Sequence, residues 1–469
     1  MPVSVERTTL KPVTTKIELG CEHDLARQST KRVGRLALLR LPLTGTNLRR
    51  SPPRTFGPNG GLATHRRYVV EALLLGALLL ALSVRFFYTA WRYNQLTVLR
   101  EVFLQYKAAT LAVNFADFGA VPRGLGGGLA RVLTPDAVDA AIAFHFVSAI
   151  GAACVLALLF ARFQAPVVRR VAFALVALAL MKRWGEDGGR TDLAVVAVLG
   201  AASLAWLSGR LVTAALTVGI GLFIHEATLI MGVPLLAALA WRDSLRGDLS
   251  WQRLRTLLVI LGAVLAMYFA LPWLPHSTNA EIATRVRERV GNNEAVDVAL
   301  YFALAGFRGV QVAICTNAKE PAASMHVAMG LVVIAVAAMA LAPWRGANRW
   351  MVLLAGLPGY LLLASVANDF ARWTLFACVA LWMFAISAPP AALASLDRRV
   401  ALADVACLGA ACILLLALVP ASPGVSRVVS PVPRVDQWLP RPSSAKPLGF
   451  AEVVERCDPK WRDVLGMSQ

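Results

Sequence analysis

The chain alternates between long apolar blocks and shorter polar connections. A helix needs about 20 mostly apolar residues to cross the hydrocarbon core of a bilayer, and most of these blocks approach that length. The pattern predicts spans near residues 69–88, 138–161, 167–181, 192–208, 211–231, 254–273, 326–343, 350–367, 373–392 and 400–419. The stretch 232–241 is an eleventh, short or re-entrant piece. We therefore predict an all-α fold, a polytopic transmembrane helical bundle of about 10–11 spans.

One apolar run, residues 211–241, carries only two ionisable side chains, His225 and Glu226. A carboxylate at membrane depth costs about 2.5 kcal/mol or more, so such residues usually face a partner, a cavity or a substrate path. A purely structural, hydrogen-bonded pair is the alternative. We favour a function, because an apolar residue would be cheaper here. Gly232 and Pro234 are expected to break the helix just after the pair.

Composition supports a membrane protein, with 57% hydrophobic and 16% charged residues. The net charge of +19 raises the question of nucleic acid, but its distribution favours a membrane surface. Thirteen of the 47 Lys and Arg lie in residues 1–68, and many others flank apolar blocks. That arrangement is typical of cytoplasmic anchoring and attraction to anionic lipid, so we predict no nucleic-acid partner.

The short arginine-bearing connections, at 162–170, 242–255, 344–349 and 393–399, favour a cytoplasmic location for that side of the bundle. The resulting organisation is a disordered basic cytoplasmic tail (1–68), a transmembrane helical domain (69–419) with extracytoplasmic loops 89–137 and 274–325, and an extracytoplasmic C-terminal tail (420–469). The seven cysteines contain no CxxC motif, which argues against a zinc site or a disulfide framework. We expect free thiols, with Cys315 and Cys457 able to pair only if both face an oxidising compartment.

Candidate site residues lie in four places. In loop 89–137, Asp117 and Arg123 stand among glycines, which let backbone amides approach a ligand, while arginine makes bidentate contacts with phosphate. An ordinary flexible surface loop is the alternative. Asp192 lies roughly 25 Å from the tip of the 192–231 hairpin and Glu226 roughly 23 Å, so the two acids are at similar depth. A helix N-terminal acid is the alternative for Asp192.

The fourth place is the tip of the hairpin between the spans at 350–367 and 373–392, where Asp369 and Arg372 lie three residues apart. A local helix pair is the alternative there. In the predicted topology this tip faces the same side as Asp117, Asp192 and Glu226. Several ionisable groups on one face are harder to attribute to chance than any one of them.

These segments together resemble a known class. Asp117-Phe-Gly-Ala-Val-Pro-Arg-Gly-Leu, Gly-Arg-Thr-Asp192, Ile-His225-Glu226 before Pro234, and Asp369-Phe-Ala-Arg372-Trp resemble bacterial polytopic membrane proteins related to the GT-C glycosyltransferases and exopolysaccharide polymerases. The resemblance covers roughly residues 69–393.

The resemblance implies sugar transfer from a polyprenyl-phosphate carrier at the outer face of the bacterial inner membrane. It implies a catalytic group of Asp117, Glu226 and His225, with Asp117 as the base, and substrate-binding roles for Arg123, Asp192, Asp369 and Arg372. The implied partners are membrane lipid, the polyprenyl-phosphate-linked sugar and a possible polysaccharide-assembly complex. The cofactor stays open: a divalent metal suits the chemistry, but no cluster of ligands in the sequence requires one.

Two other functions stay open. A secondary transporter or lipid-linked glycan flippase also places charges at a broken helix, although the sequence shows no inverted repeat. A scaffold of a polysaccharide export complex needs no buried Glu226.

Overall fold

A computed structural model of the chain describes residues 61–95, 99–163, 167–186, 190–319, 323–341, 349–366, 370–387 and 450–467. This part of the chain is helical, and its one β contact is an isolated bridge between Gly119 and His276. The helices are α1 Gly61–Gln95, α2 Leu99–Ala112, α3 Phe115–Phe118, α4 Gly124–Leu133, α5 Ala137–Arg162, α6 Val167–Glu186, α7 Asp192–Leu207, α8 Leu211–Leu222, α9 Ala227–Leu245, α10 Trp251–Ala270, α11 Asn279–Val290, α12 Glu294–Leu304, α13 Phe307–Lys319, α14 Ala323–Leu341, α15 Arg349–Val366, α16 Phe370–Ile386 and α17 Phe450–Glu455.

Four helical segments in the described ranges are long and apolar enough to cross a membrane: Tyr68–Arg85 within α1, Ala137–Arg162, Ala227–Leu245 and Trp251–Trp273. A fifth is obtained if α12 and the segment Arg308–Cys315, bent by 117°, count as one span. α7, α8 and parts of α14, α15 and α16 are apolar but shorter. The longer apolar helices, α1, α5–α10 and α14–α16, share one large core, in which α9 packs on α15, α5 on α7, and α1 on α6. The all-α prediction is confirmed.

The predicted span 211–231 is two helices rather than one. α8 ends at Leu222, and α9 begins at Ala227, so His225 and Glu226 lie in the turn between them. The expected break at Gly232 and Pro234 was wrong, because α9 continues through Pro234 to Leu245. A helix tolerates an internal proline when its neighbours stabilise it, and here α15 and α16 pack along α9.

Two other boundaries bear on the predicted organisation. α1 starts at Gly61, inside the segment predicted as a tail, and residues 1–60 lie outside the described ranges. The span predicted at 400–419 and most of the tail predicted at 420–469 also lie outside them. The final described segment, 450–467, is folded onto the rest of the protein.

A second core lies where the two long predicted loops meet. Helices α2, α3, α4, α11 and α12 pack with residues 450–467 around buried side chains such as Val286, Tyr301 and Trp461. We call this assembly the cap. A disulfide between Cys315 and Cys457 joins α13 to the last segment, which corrects the expectation of free thiols for these two residues. The spacing of 142 residues gave no local signal for this pair.

Candidate functional site

The turn between α8 and α9 is held by contacts with both ends of the break. The backbone N–H of Leu125, in α4, donates to the carbonyl of Phe223 at 3.2 Å. The Nδ1 atom of His225 accepts from the backbone N–H of Ala227 at 3.0 Å and so satisfies the first amide of α9. The break is therefore stabilised by the loop that carries Arg123.

Glu226 is the centre of a cluster of polar side chains at this turn. Its Oε2 atom accepts from Nε of Arg123 at 2.6 Å, and its Oε1 atom accepts from the hydroxyl of Tyr268 at 2.9 Å. His225 Nδ1 lies 3.8 Å from Oε2. The side chains of Glu226 and Arg123 keep 28% and 31% of their surface exposed, so a ligand can reach both members of the ion pair.

Arg123 is the one non-glycine residue in the described ranges with a positive φ, 59°. A left-handed conformation costs a residue with a Cβ about 1–2 kcal/mol, so surrounding contacts must hold it. The residue immediately precedes α4, and the ion pair with Glu226 supplies such a contact. The strain marks Arg123 as a residue whose position the fold enforces.

A second, buried ion pair lies beside this cluster. Nε of Arg372, on α16, is 3.1 Å from Oδ2 of Asp192, at the start of α7, and the two side chains are 7% and 2% exposed. Helix α16 also packs on α9, which begins just after the Glu226 turn. Removing one member of a buried ion pair costs about 3–5 kcal/mol of stability. A role in folding is therefore enough to explain this pair. Asp369 lies outside the described residues.

Asp117 belongs to a different ion-pair network from Glu226. Asn114 caps the short helix α3 by accepting from the backbone N–H of Asp117, and its amide donates to Oδ2 at 2.8 Å. Arg131 pairs with Oδ1, and Nη1 of Arg289 lies 2.5 Å from Oδ2. With both oxygens engaged, the Asp117 side chain is only 8% exposed. The structure thus divides the described site residues into three groups: the Glu226 turn, the Asp192–Arg372 pair, and Asp117 with its own arginines.

The depth of the Glu226 cluster follows from α10. Trp251 and Trp273 are strongly exposed at the two ends of this candidate span, a placement typical of residues at the two membrane interfaces. Tyr268 is five residues from Trp273, or about 7–8 Å along the helix axis. Beyond Trp273, the carbonyl of Pro275 accepts from the backbone N–H of Ala120 at 3.3 Å, so the chain enters the cap. Glu226 therefore lies close to the cap end of the candidate spans.

Sequence reasoning missed Tyr268, Arg131 and Arg289. A tyrosine near the end of an apolar span is typical of an interfacial aromatic, and nothing local distinguishes Tyr268 from that class. Arg289 is 172 residues from Asp117, so spacing carried no information about the pair. The pattern Asn114-x-x-Asp117 could have shown that Asn114 caps a helix and so contacts Asp117, because asparagine is a common residue at helix starts.

In the described part of the chain, no three His, Cys, Asp or Glu side chains are grouped so that they could hold a metal ion. Comparison with known proteins finds no matching family model, no similar curated protein and no similar solved structure.

Proposed function

We propose that the protein is an inner-membrane glycosyltransferase or polysaccharide polymerase that uses a polyprenyl-phosphate-linked sugar donor at the extracytoplasmic face. The observation that carries this proposal is the pairing of Glu226 with Arg123 in a partly exposed turn near the cap end of the candidate spans. One carboxylate and one guanidinium in contact supply the two groups that transfer from a phosphate leaving group needs.

In the proposed reaction, Glu226 accepts the proton of the acceptor hydroxyl. The acceptor oxygen then forms a bond to the anomeric carbon of the donor sugar, and the bond from that carbon to the phosphate oxygen breaks. The polyprenyl phosphate departs with the bonding electron pair. Arg123 stabilises the negative charge that develops on it, since guanidinium groups bind phosphate in a bidentate manner.

The other predicted site residues take supporting roles in this proposal. His225 caps α9 and so fixes the backbone on which Glu226 sits. The Asp192–Arg372 pair links the start of α7 to α16, which also packs on α9. Asp117 is supported less well as the base than Glu226, because it pairs with two arginines and only 8% of its side chain is exposed, against 28% for Glu226. We propose that it positions the loop that carries Arg123.

The test compares Glu226→Gln with Glu288→Gln in cells that lack the native protein. Glu288 is an exposed glutamate on the polar helix α11, so it matches the chemical change without touching the turn. We expect both variants to reach the membrane at normal levels. Only Glu226→Gln should abolish the glycan product and let its lipid-linked precursor accumulate. Normal product with Glu226→Gln would overturn the proposal.

The helix break itself favours a second function. Transporters also build binding sites at discontinuous helices, with helix ends directed at charged substrate groups. The interruption between α8 and α9 is such a discontinuity. A flippase and a transferase differ in what a null strain accumulates. Loss of a flippase traps the lipid-linked glycan on the cytoplasmic leaflet, whereas loss of the transferase leaves the unextended precursor on the outer leaflet.

The disulfide supports the proposed location. Disulfides persist in oxidising compartments, so the bond between Cys315 and Cys457 favours a cap outside the cytoplasm. A cap on that side would meet membrane lipid, the lipid-linked sugar and any partners in a polysaccharide-assembly complex.

A further inference from the structure

Helix α4 has its small residues inside and its large apolar residues outside. Gly124, Gly127 and Ala130 are buried, whereas Leu129, Val132 and Leu133 are 45%, 85% and 44% exposed. A Cβ on Gly127 would collide with the backbone carbonyl oxygens of Leu111, in the last turn of α2, and of Val113, just after it. The small face is therefore needed for close approach to α2, and the large apolar side chains have no place in the core.

This arrangement is the reverse of a water-facing helix. A surface helix of a soluble domain directs its apolar stripe at the core and its polar residues at solvent. In α4 the outer stripe is Leu129, Val132 and Leu133, at the i, i+3 and i+4 positions of one face, whereas Leu125 packs partly against the cap core. The one charged side chain of the helix, Arg131, is paired with Asp117. Small residues at the contact and large apolar residues outward are typical of helices packed within a membrane.

Helix α4 leads directly into a candidate span. Three residues, 134–136, separate α4 from α5, so the end of α4 lies at the level where α5 begins. On α5, Val147 and Ile150 are 51% and 47% exposed within a segment long and apolar enough to cross a membrane. The occupant that covers α5 can thus extend over α4.

We infer that α4 is an interfacial helix whose stripe of Leu129, Val132 and Leu133 is immersed in the outer leaflet of the bilayer. The occupant of this face is the acyl-chain region of the lipids, rather than water or a second protein. The inference does not depend on the proposed transfer reaction, because it follows from the packing of α4 and its connection to α5. It places the apolar side of α4 against lipid while the residue before the helix, Arg123, contacts Glu226.

Photo-crosslinking in proteoliposomes tests the inference. The full-length protein carries a benzophenone amino acid at Val132, at Ile150 on α5, or at Glu288 on α11, one position at a time. Ile150 is the control for a lipid-covered position, and Glu288 is the control for a water-exposed position. Vesicles of phosphatidylethanolamine and phosphatidylglycerol are irradiated, and adducts are identified by intact-protein mass spectrometry.

We expect phospholipid adducts from Val132 at a yield within about twofold of Ile150, and at least tenfold above Glu288. A benzophenone at Val132 that gives no lipid adduct, as at Glu288, would show that α4 faces water. A crosslinked dimer would show that a second copy covers it. Either result overturns the inference. Each variant is first checked for the Cys315–Cys457 disulfide, so that a misfolded protein is not scored.

Discussion

Glu226 is fixed by donors from two distant parts of the chain, Arg123 in the loop before α4 and Tyr268 near the end of α10. The sequence separations are 103 and 42 residues. A carboxylate held in this way keeps one geometry, which is what a proton acceptor requires. The same two donors explain how a charged residue is accommodated next to apolar helices, because each oxygen has its own partner.

Removal of the Tyr268 hydroxyl should weaken this arrangement without emptying the space. Tyr268→Phe deletes the 2.9 Å hydrogen bond to Oε1 but keeps the edge-on ring contact with Phe223. A hydrogen bond to a charged group is worth about 1.5–3 kcal/mol, so we expect at least a tenfold fall in the rate of the proposed glycosyl transfer. The rate is measured with purified protein in proteoliposomes.

Tyr360→Phe is the matched control for this change. The Tyr360 hydroxyl donates to the carbonyl of Val327 at 3.1 Å on another helix pair, outside the Glu226 turn. Its loss should leave the rate within about twofold, since neutral hydrogen bonds contribute about 1 kcal/mol to stability and none here orients Glu226. Equal effects from the two variants would contradict an orienting role for Tyr268.

Asp458 gives the cap a dependence on pH. Burial opposes ionisation of its carboxyl, but hydrogen bonds from Arg308 and Tyr301, at 2.5 and 2.9 Å, outweigh burial and lower the pKa of Asp458. A lowered folded-state pKa stabilises the cap above about pH 4, the ordinary aspartate value, and the stabilisation is lost as pH falls below it. Asp458→Asn should therefore destabilise the 450–467 segment at pH 7.

The expected size is about 1–2 kcal/mol, or roughly tenfold faster hydrogen exchange of peptides from this segment. The difference from the native protein should shrink as pH falls below about 4, because the unfolded carboxyl is then protonated while the folded carboxyl holds its charge to lower pH. Asp463→Asn, at an exposed neighbouring position, is the control for charge alone. A difference that persists unchanged into acid would refute the assignment.

At the scale of elements, the break between α8 and α9 positions the polar turn, and α4 closes over it. α4 reaches its position only because its inner face is glycine and alanine. The apolar blocks and the all-α class could be predicted, because burial against lipid or core needs only apolar composition over a helical length. The place of the break could not, since it depends on Leu125 and Phe223 meeting across nearly 100 intervening residues.

The glycines of α4 provide a matched pair of variants for this packing. Gly127→Ala puts a methyl group against backbone oxygens that cannot rotate away, whereas an alanine at Gly128 meets nothing within 4 Å. We expect Gly127→Ala to lower stability by about 1–3 kcal/mol, as overpacking does. Gly128→Ala should be neutral or raise stability by up to about 1 kcal/mol, because alanine favours helix. The two variants are compared by thermal unfolding of the detergent-solubilised protein. Equal losses of stability would contradict the close approach of α4 to the end of α2.

At the scale of the whole molecule, two cores meet at the level of the Glu226 turn. The larger belongs to the apolar helices and the smaller to the cap, which brings both long loops together. The sequence marked His225 and Glu226 as exceptional because their charge stood out locally. It did not show that Arg123 pairs with Glu226, or that Asp117 belongs to other arginines, because such pairings depend on how distant helices fold against each other.

The predicted orientation can be tested at the disulfide. In cells with a permeabilised outer membrane, an impermeant maleimide should label Cys315 and Cys457 only after an impermeant reductant, since the two thiols are bonded. Cys21, in the predicted cytoplasmic tail, should stay unlabelled until detergent dissolves the membrane. Peptide mass spectrometry assigns each site. Labelling of Cys21 in undissolved cells, with both cap cysteines protected, would reverse the topology.

The cap can be completed only late in synthesis, because one of its parts is the last described segment of the chain. Tyr301 on α12 receives its partner Asp458 from 157 residues further along the chain, and Trp461 fills the same core. A ribosome needs on the order of ten seconds to make that length, and α14, α15 and α16 emerge in the interval. During it the cap side of α12 lacks its covering segment, and Cys315 lacks Cys457. The cap core is therefore completed only after these helices have been made, and the Cys315–Cys457 bond can form only then.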